Sequence, residues 1–241
     1  MLLAIDAGNT FVKIGYHDGQ MWQSKQRIAL ADFCVEPLRY LQQPAQQAVI
    51  ANVAGPAFQA AFEATLPLQP KLWLQASAQA CGVTNQYQTQ KQLGADRWAM
   101  LIAARAMASQ PCVVASLGTT LTVDVLTADG AFVGGCIAPG LNLMRSALAQ
   151  GTYALQTPSG HVTAYPTNTA DAVETGIIFA LAGTIEKVMA NVAQQTPASL
   201  QLILTGGDAH LLTPHLNRTA QVVDNLVLEG LLVLARKENL L

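Results

Sequence analysis

The chain has 241 residues, of which 51% are hydrophobic and 12% are charged, and its formal net charge is −2. A chain of this length can bury the core of one large domain or two small ones. The 13 Lys and Arg residues are scattered, which argues against nucleic-acid binding and against a polybasic membrane patch. The chain reaches Asp6 after only five residues, and its apolar runs are shorter than a bilayer requires. We therefore expect a cytoplasmic protein with no nucleic-acid or membrane partner.

The hydrophobic pattern predicts a similar order of elements twice along the chain. The first half is predicted to contain the strands Leu2–Ile5, Phe11–Tyr16, Met21–Ile28, Ala48–Ala51 and Lys71–Leu74, and the helices Ala31–Leu41, Ala57–Leu66 and Ala95–Ser109. The second half is predicted to contain the strands Cys112–Ser116, Thr120–Leu126, Ala131–Ile137, Leu200–Leu204 and Gln221–Val223, a helix after Pro139, and the helices Thr169–Gln194 and Leu226–Lys237. We predict an α/β protein with an N-terminal half of residues 1–110 and a C-terminal half of residues 111–241. Two loops, Asn85–Gln92 and Gly151–Asn168, are long enough to carry substrate contacts.

The turn after the first strand of each half has a related sequence. The first copy reads Asp6-Ala7-Gly8-Asn9-Thr10 and the second reads Ser116-Leu117-Gly118-Thr119-Thr120, so that Gly8 aligns with Gly118 and Thr10 with Thr120. An Asp-Gly pair closes the following hairpin in both copies. Small polar residues in a turn expose backbone N–H groups and hydroxyls, which suits phosphate binding. The duplication predicts two related half-domains whose turns face each other across a central cleft.

The first turn also carries charged side chains. Asp6 could hold Mg²⁺ directly or through water, and Lys13 could reach a phosphate as a point charge. The alternative is a carboxylate at the end of a strand and a solvated lysine on a hairpin. Binding of one phosphate group by two related turns would explain why the turn is duplicated, and this favours the first interpretation.

Gly94-Ala95-Asp96-Arg97 opens a predicted helix. Asp96 could be a general base beside a substrate hydroxyl, with Arg97 as a clamp for a carboxylate or phosphate. The alternative is an acidic residue favoured by the helix dipole and a surface cation. Thr205-Gly206-Gly207 follows another strand, where paired glycines would allow a backbone to approach a nucleotide closely.

Taken together, these motifs resemble the type III pantothenate kinases of the acetate and sugar kinase/actin superfamily. The resemblance runs nearly end to end and rests on an ordered set of segments: Asp6–Thr10 with Lys13, Leu93–Trp98, Leu117–Asp124, Gly134–Gly140 and Thr205–Gly207. It implies two ribonuclease-H-like halves in an actin-like ATPase fold. It also implies a homodimer that uses ATP and Mg²⁺ to phosphorylate the primary hydroxyl of pantothenate, the first step towards coenzyme A.

The resemblance also assigns roles to individual residues. It implies that ATP is bound by Asp6, Ala7, Gly8, Asn9, Thr10, Phe11, Val12 and Lys13 in the first turn and by Thr119 in the second. It implies that pantothenate is bound by Tyr87, Gly94, Ala95, Asp96, Arg97 and Thr169. Asp96 would accept the proton of the substrate hydroxyl, Asp6 would hold Mg²⁺ through ATP, and Thr169 would approach the substrate across the subunit interface.

One position departs from the family pattern. Family members commonly have an aspartate three residues before the position of Thr119, where it binds a monovalent cation such as potassium or ammonium; this chain has Ser116. A neutral hydroxyl is a poor substitute for a carboxylate, so the sequence leaves the cation requirement open. Two other functions also stay open: a non-catalytic accessory factor for transcription on the same fold, and a kinase for another small hydroxylated substrate.

Overall fold

The structure is a computed structural model. It describes residues 1–41, 45–66, 71–152, 155, 160–195 and 199–241. These residues form two compact units. Unit 1 contains Met1–Ser109, Asp129–Val133 and Asn225–Leu241, and unit 2 contains Gln110–Ala128 and Gly134–Asp224.

Unit 1 is built on a five-stranded sheet with helices on both faces. Its strands are β1 (Leu2–Ala7), β2 (Phe11–His17), β3 (Trp22–Ala29), β4 (Gln47–Asn52) and β5 (Lys71–Leu74), in the order β3-β2-β1-β4-β5. The helices in its first 109 residues are α1 (Leu30–Val35), α2 (Pro37–Tyr40), α3 (Pro56–Thr65) and α4 (Ala95–Met107). A small hairpin of β6 (Gln79–Ala80) and β7 (Val83–Asn85) follows β5, and a 3₁₀ turn occupies Gln90–Gln92.

Unit 2 has a sheet formed by β8 (Cys112–Leu117), β9 (Thr120–Leu126), β10 (Ala131–Pro139), β11 (Gln201–Thr205) and β12 (Gln221–Val222). The order of these strands is β12-β11-β8-β9-β10. Its helices are α5 (Leu141–Gly151), α6 (Thr169–Gln195) and the short α7 (Ala209–Leu212). The first residues of β10 belong to unit 1, where Ala131 and Phe132 pair in parallel with Thr84 and Asn85 of β7. The last helix, α8 (Leu226–Lys237), also belongs to unit 1.

The strand orders confirm the predicted duplication. In both units the first strand is antiparallel to the second and parallel to the fourth. Read from the third strand, the orders β3-β2-β1-β4-β5 and β10-β9-β8-β11-β12 are the same. The turns differ by one residue: three residues separate β1 from β2, whereas two separate β8 from β9. The strand boundaries therefore make Thr119 the counterpart of Thr10, whereas the sequence alignment had paired Thr10 with Thr120.

The two faces of the unit 1 sheet have different neighbours. On one face, Ile5 and Ile14 pack into a core with Phe33, Phe58 and Phe62 of the helices α1 and α3. The helices α4 and α8 pack on the opposite face of β1 and β4. Since successive residues of a strand alternate between faces, Asp6 and Lys13 lie on the face that α4 and α8 share.

Helix α6 forms much of the core of unit 2. Ile178, Leu181 and Ile185 are buried against strand residues such as Val123 and Leu204. Within the described residues, α6 is the one helix that is long and apolar enough to cross a membrane by length and composition. A helix of a protein core passes the same test, and the buried side of α6 packs on the unit 2 sheet.

The main differences between the structure and the predicted elements lie in the first half of the chain. The predicted helix Ala31–Leu41 is broken into α1 and α2, because Pro37 disfavours the helical conformation of Glu36, whose φ and ψ are −134° and 65°. The hairpin of β6 and β7 was not predicted, because strands of two and three residues carry too little pattern. The predicted loop Gly151–Asn168 lies partly outside the described residues.

The grouping of the chain into units also differs from the predicted halves. Unit 2 begins at Gln110, close to the predicted division, but α8 belongs to unit 1. The physical reason is tight packing between α8 and α4: a Cβ atom at Gly230 would overlap the backbone of Ala99. The helices can approach this closely only because Gly230 has no side chain.

Gly230 gives a direct test of this packing. We expect Gly230→Ala to lower the free energy of unfolding by about 1–3 kcal/mol, the usual cost of overpacking a core. Urea unfolding followed by circular dichroism measures the change. The control is Lys237→Ala on the exposed part of the same helix, which should change the stability by no more than about 0.5 kcal/mol. Equal stability of Gly230→Ala and the wild type would contradict the described contact.

Candidate active site

An ion pair on neighbouring strands is the starting point of the candidate site. Asp6 of β1 lies directly opposite Lys13 of β2, so both side chains point to the same face of the sheet. The Lys13 Nζ and Asp6 Oδ2 atoms are 3.4 Å apart, and Asp6 is only 7% exposed. The pair places a carboxylate and an ammonium group beside the turn that joins the two strands.

A second carboxylate lies close enough to influence this pair. Burial raises the pKa of Asp6 above its ordinary value; the attraction of Lys13 opposes this shift, and the negative charge of Asp96 adds to it. Burial also raises the pKa of Asp96, while interactions with Arg97 and Lys13 oppose that shift. Asp6, Asp96 and Lys13 therefore form one electrostatic cluster within unit 1.

The beginning of α4 determines the position of the Asp96 side chain. The Arg97 backbone N–H donates a hydrogen bond of 2.8 Å to Asp96 Oδ1. A Cβ atom on Gly94 would lie 2.5 Å from the same oxygen, so the glycine leaves room for the carboxylate. Ala95, between them, is buried. A carboxylate in the first turn also interacts favourably with the helix dipole.

Two aromatic rings surround the Arg97 side chain, which is only 5% exposed. Its guanidinium carbon lies 5.7 Å from the ring centroid of Tyr87 and 5.9 Å from that of Phe132. The two rings contact each other at a centroid distance of 5.0 Å. Such cation–π contacts restrict the orientation of the guanidinium group. Sequence reasoning selected Tyr87 and Arg97 but missed Phe132, since nothing in the local pattern of β10 indicates its ring contacts.

The first turn exposes some of its predicted ligand-binding residues and buries others. Asn9 and Thr10 are exposed, and the Gly8 N–H donates to the Phe11 carbonyl at 3.0 Å. The side chains of Ala7 and Val12, in contrast, belong to the core on the other face. Only the backbones of these two residues could contact a nucleotide, and the Ala7 carbonyl already accepts a hydrogen bond from the Val53 N–H.

The second turn, in unit 2, is closed by the beginning of α5. The Gly140 N–H donates a hydrogen bond of 3.0 Å to the Thr119 carbonyl. A Cβ atom at Gly140 would overlap the carbonyl oxygen of Gly118. The Thr119 residue itself is exposed. The first turn is closed similarly, by a hydrogen bond from the Leu30 N–H to the Thr10 carbonyl.

Thr169, the remaining predicted substrate residue, is the first residue of α6. It lies at the edge of a largely apolar cavity of about 600 Å³ between α5 and α6, next to Met144, Leu148 and Val173. Hydrogen bonds connect the preceding loop to α6: Asp171 accepts them from the His161 N–H and from the Asn168 side chain. The structure places Thr169 in unit 2 and the other predicted pantothenate-binding residues in unit 1.

Ser116 belongs to a row of hydroxyl groups in unit 2. It lies opposite Thr122 on β9 and Thr205 on β11. Thr122 is 7% exposed, and its Oγ1 atom has no hydrogen-bond partner among the described residues. Asp124 is on the same face of β9, two residues further along, and is 1% exposed. The three members of this row, Ser116, Thr122 and Thr205, are hydroxyl residues.

Comparison with known proteins identifies the family. The sequence model of the type III pantothenate kinases matches residues 2–191. Type III pantothenate kinase from Nitrosospira multiformis is 41% identical over 98% of this chain and 92% of its own length. The enzyme of that name from Aromatoleum aromaticum is 42% identical, with 99% of both chains covered. The chain belongs to the type III pantothenate kinase family.

Solved structures support the fold of this family member. A protein from Campylobacter jejuni, described as a conserved Baf family transcriptional activator, superimposes with a TM-score of 0.62 at 18% identity, over the whole of both chains. A protein from Sinorhizobium meliloti described as a 2-dehydro-3-deoxygalactonokinase gives a TM-score of 0.57 at 15% identity over 99% of both chains. At these identities the likeness shows the shared fold, which is the duplicated α/β fold of the actin-like ATPases and sugar kinases.

The charge cluster predicts a measurable coupling between Lys13 and the two carboxyl groups. Because Lys13 lowers the pKa of both Asp6 and Asp96, we expect Lys13→Gln to raise both values. Carboxyl-detected ¹³C NMR titration of the wild type and the variant measures the shift. Lys25→Gln is the control, because the Lys25 Nζ atom pairs with Glu229. Unchanged or lowered pKa values in Lys13→Gln would contradict the described cluster.

Proposed function

We propose that this protein transfers the terminal phosphoryl group of ATP to the primary hydroxyl of pantothenate, the first step of coenzyme A biosynthesis. The observation that carries this proposal is the clustering of Asp96 with Asp6 and Lys13 at the beginning of α4. Family membership supports the choice of ATP and pantothenate as substrates. We also propose that it acts in the cytoplasm, as its family membership favours, and the net charge of −2 argues against a nucleic-acid or anionic-membrane partner.

In the proposed reaction, Asp96 accepts the proton of the substrate hydroxyl while that oxygen attacks the γ-phosphorus. The bond between the γ-phosphorus and the β–γ bridging oxygen breaks, and ADP leaves. Its raised pKa suits this role, since a base works best when its pKa approaches the working pH. The Lys13 ammonium offsets negative charge on the transferring group. The backbone and hydroxyl groups of Gly8, Asn9 and Thr10, together with Thr119, bind the nucleotide.

Asp6 is the residue that would hold Mg²⁺. Mg²⁺ is usually bound by one or two carboxylates together with water and substrate phosphates, so a single carboxylate beside the phosphate-binding turn fits this ion. When bound with ATP, the ion would neutralise charge on the phosphate oxygens. The ion pair with Lys13 opposes the rise in the pKa of Asp6 that burial causes and so favours the ionised carboxylate, which is the form that binds a cation.

Pantothenate is proposed to bind beside the beginning of α4. The Arg97 guanidinium, oriented by Tyr87 and Phe132, is suited to a bidentate contact with a carboxylate. Gly94 and Ala95 would contact the substrate through their backbone, because neither offers a polar side chain. These contacts would place the primary hydroxyl of the substrate near Asp96.

We also propose that the protein is a homodimer in which Thr169 completes the pantothenate site of the partner subunit. The exposed apolar side chains of unit 2 support this proposal: Ile137 is 61% exposed and Phe179 is 51% exposed. A contiguous exposed apolar patch marks an interaction site, so the proposal requires Ile137 and Phe179 to lie together in the dimer contact. Analytical ultracentrifugation of the wild type and of Phe179→Asp tests the proposal, with a dimer expected for the wild type and dissociation for the variant.

We do not expect the proposed kinase to require potassium for its activity. The hydroxyl row of Ser116, Thr122 and Thr205 lacks the carboxylate on which the family's cation site depends. Asp124 is buried two residues away from Thr122 and has interactions of its own. The residues present therefore do not fit a carboxylate-based site for a monovalent cation, and we propose a kinase that is indifferent to potassium.

Ser116→Asp tests this proposal. The wild type should have the same turnover and the same melting temperature in KCl and NaCl at equal ionic strength. The melting temperature of Ser116→Asp should be higher in KCl than in NaCl, because the new carboxylate creates a cation site. Ser116→Asn, which adds a similar volume without charge, should show no such gain. A wild-type protein that requires potassium would contradict the proposal.

Asp96→Asn tests the proposed base. In a coupled assay of ADP release with Mg²⁺ and pantothenate, we expect kcat to fall by about 100- to 10,000-fold, the usual contribution of general base catalysis. The melting temperature at neutral pH should not fall, because the substitution removes a partly buried charge and Asn can still accept the Arg97 N–H. The control is Asp32→Asn, which changes an exposed carboxylate of α1. Full turnover by a folded Asp96→Asn variant would eliminate the base assignment, and no ADP release by the wild type would favour a non-catalytic function.

A further inference from the structure

A third charged residue continues the row of Asp6 and Lys13. Arg27 of β3 lies directly opposite Lys13 of β2, just as Lys13 lies opposite Asp6 of β1. Residues that are directly opposite on antiparallel strands share a face of the sheet. Asp6, Lys13 and Arg27 therefore form one row across three strands, with the order carboxylate, ammonium and guanidinium.

The Arg27 side chain is oriented by the first turn. Its guanidinium carbon lies 3.6 Å from the ring centroid of Phe11. The Phe11 carbonyl accepts a hydrogen bond from the Gly8 N–H within that turn. The ring therefore holds the guanidinium group at the edge of the turn, so that less side-chain freedom remains to be lost on binding a ligand.

Arg27 differs from its two cationic neighbours on this face, because among the described residues no nearby carboxylate offsets its positive charge. Lys13 pairs with Asp6, and Lys25, two residues before Arg27 on the same face of β3, pairs with Glu229 of α8. Within the described part of the chain, no carboxylate lies within 4.0 Å of the Arg27 guanidinium. Two like charges directly opposite each other destabilise a pair of strands, and an anion bound against both would offset that cost.

We infer that Arg27 binds the polyphosphate chain of the nucleotide beside Lys13, as a second cation of the phosphate site. This inference rests on the proposed function, because it takes ATP to be the ligand of the first turn. A guanidinium group can donate two parallel hydrogen bonds to a phosphate, whereas the Lys13 ammonium acts as a point charge. Arg27 is thereby expected to distinguish a nucleoside triphosphate from a monophosphate.

The experiment compares nucleotide binding by the full chain and its variants. Arg27→Gln should weaken ATP binding about tenfold, which is the usual scale for loss of a charge-assisted hydrogen bond. AMP binding and the KM for pantothenate should not change, and the loss should appear in the KM for ATP more than in kcat. Arg27→Lys should recover part of the affinity. Isothermal titration calorimetry and steady-state kinetics give these values.

Lys25→Gln is the matched control, because it removes one positive charge from the same face of the same strand. It should leave ATP binding unchanged. Phe11→Leu alone should weaken ATP binding. In the double variant with Arg27→Gln it should cause no further loss, because the ring is proposed to act through the guanidinium group. The melting temperatures of all variants are compared to separate binding from folding.

Three results would overturn the inference. ATP binding by Arg27→Gln at wild-type affinity would remove Arg27 from the site. Equal losses of ATP and AMP binding, together with a lower melting temperature, would show that Arg27 is structural. Both of these results are compatible with pantothenate phosphorylation by the wild type. A wild-type protein that binds no ATP would overturn the proposed function as well.

Discussion

The candidate site depends on a buried carboxylate that remains beside a cation on the face of a sheet. Asp6 is almost fully buried, and burial alone would favour its neutral form. The ammonium group of Lys13, on the neighbouring strand, opposes this effect. The pairing requires the register in which Asp6 lies opposite Lys13. A shift of one residue in this pairing would move the apolar side chains of the shifted strand from the core face to the site face, so the apolar core on the other face maintains the charge pair.

The helices on this face determine where the site is open. Glu229 of α8 accepts hydrogen bonds from the side chains of Trp22 and Lys25, so α8 covers the part of the face that is distant from the first turn. Beside the turn, the Asp6 and Lys13 side chains instead interact with Asp96 at the beginning of α4. Duplication provides a second turn with similar backbone hydrogen bonds, but its sheet presents hydroxyl groups in place of charges. The two units thus share a topology while their turns have different chemistry.

Much of the fold could be predicted from the sequence, because long alternating strands and amphipathic helices have clear periods. The charged residues of the site could also be selected, since Asp6, Lys13, Asp96 and Arg97 occur in short motifs. Features that depend on contacts between distant segments could not. The ring of Phe132 beside Arg97 and the packing of Gly230 on Ala99 have no local signal. Sequence reasoning also grouped Ala7 and Val12 with the ligand-binding residues, whereas the alternation of the strands turns their side chains into the core.

The identity of the phosphorylated product tests the central claim most directly. Wild-type protein would be incubated with ATP, Mg²⁺ and pantothenate, and the products analysed by ³¹P NMR and mass spectrometry. The account predicts a phosphate monoester on the primary hydroxyl of pantothenate, formed in equal amount to ADP. Consumption of ATP with release of inorganic phosphate alone, or unchanged ATP with folded protein, would contradict it.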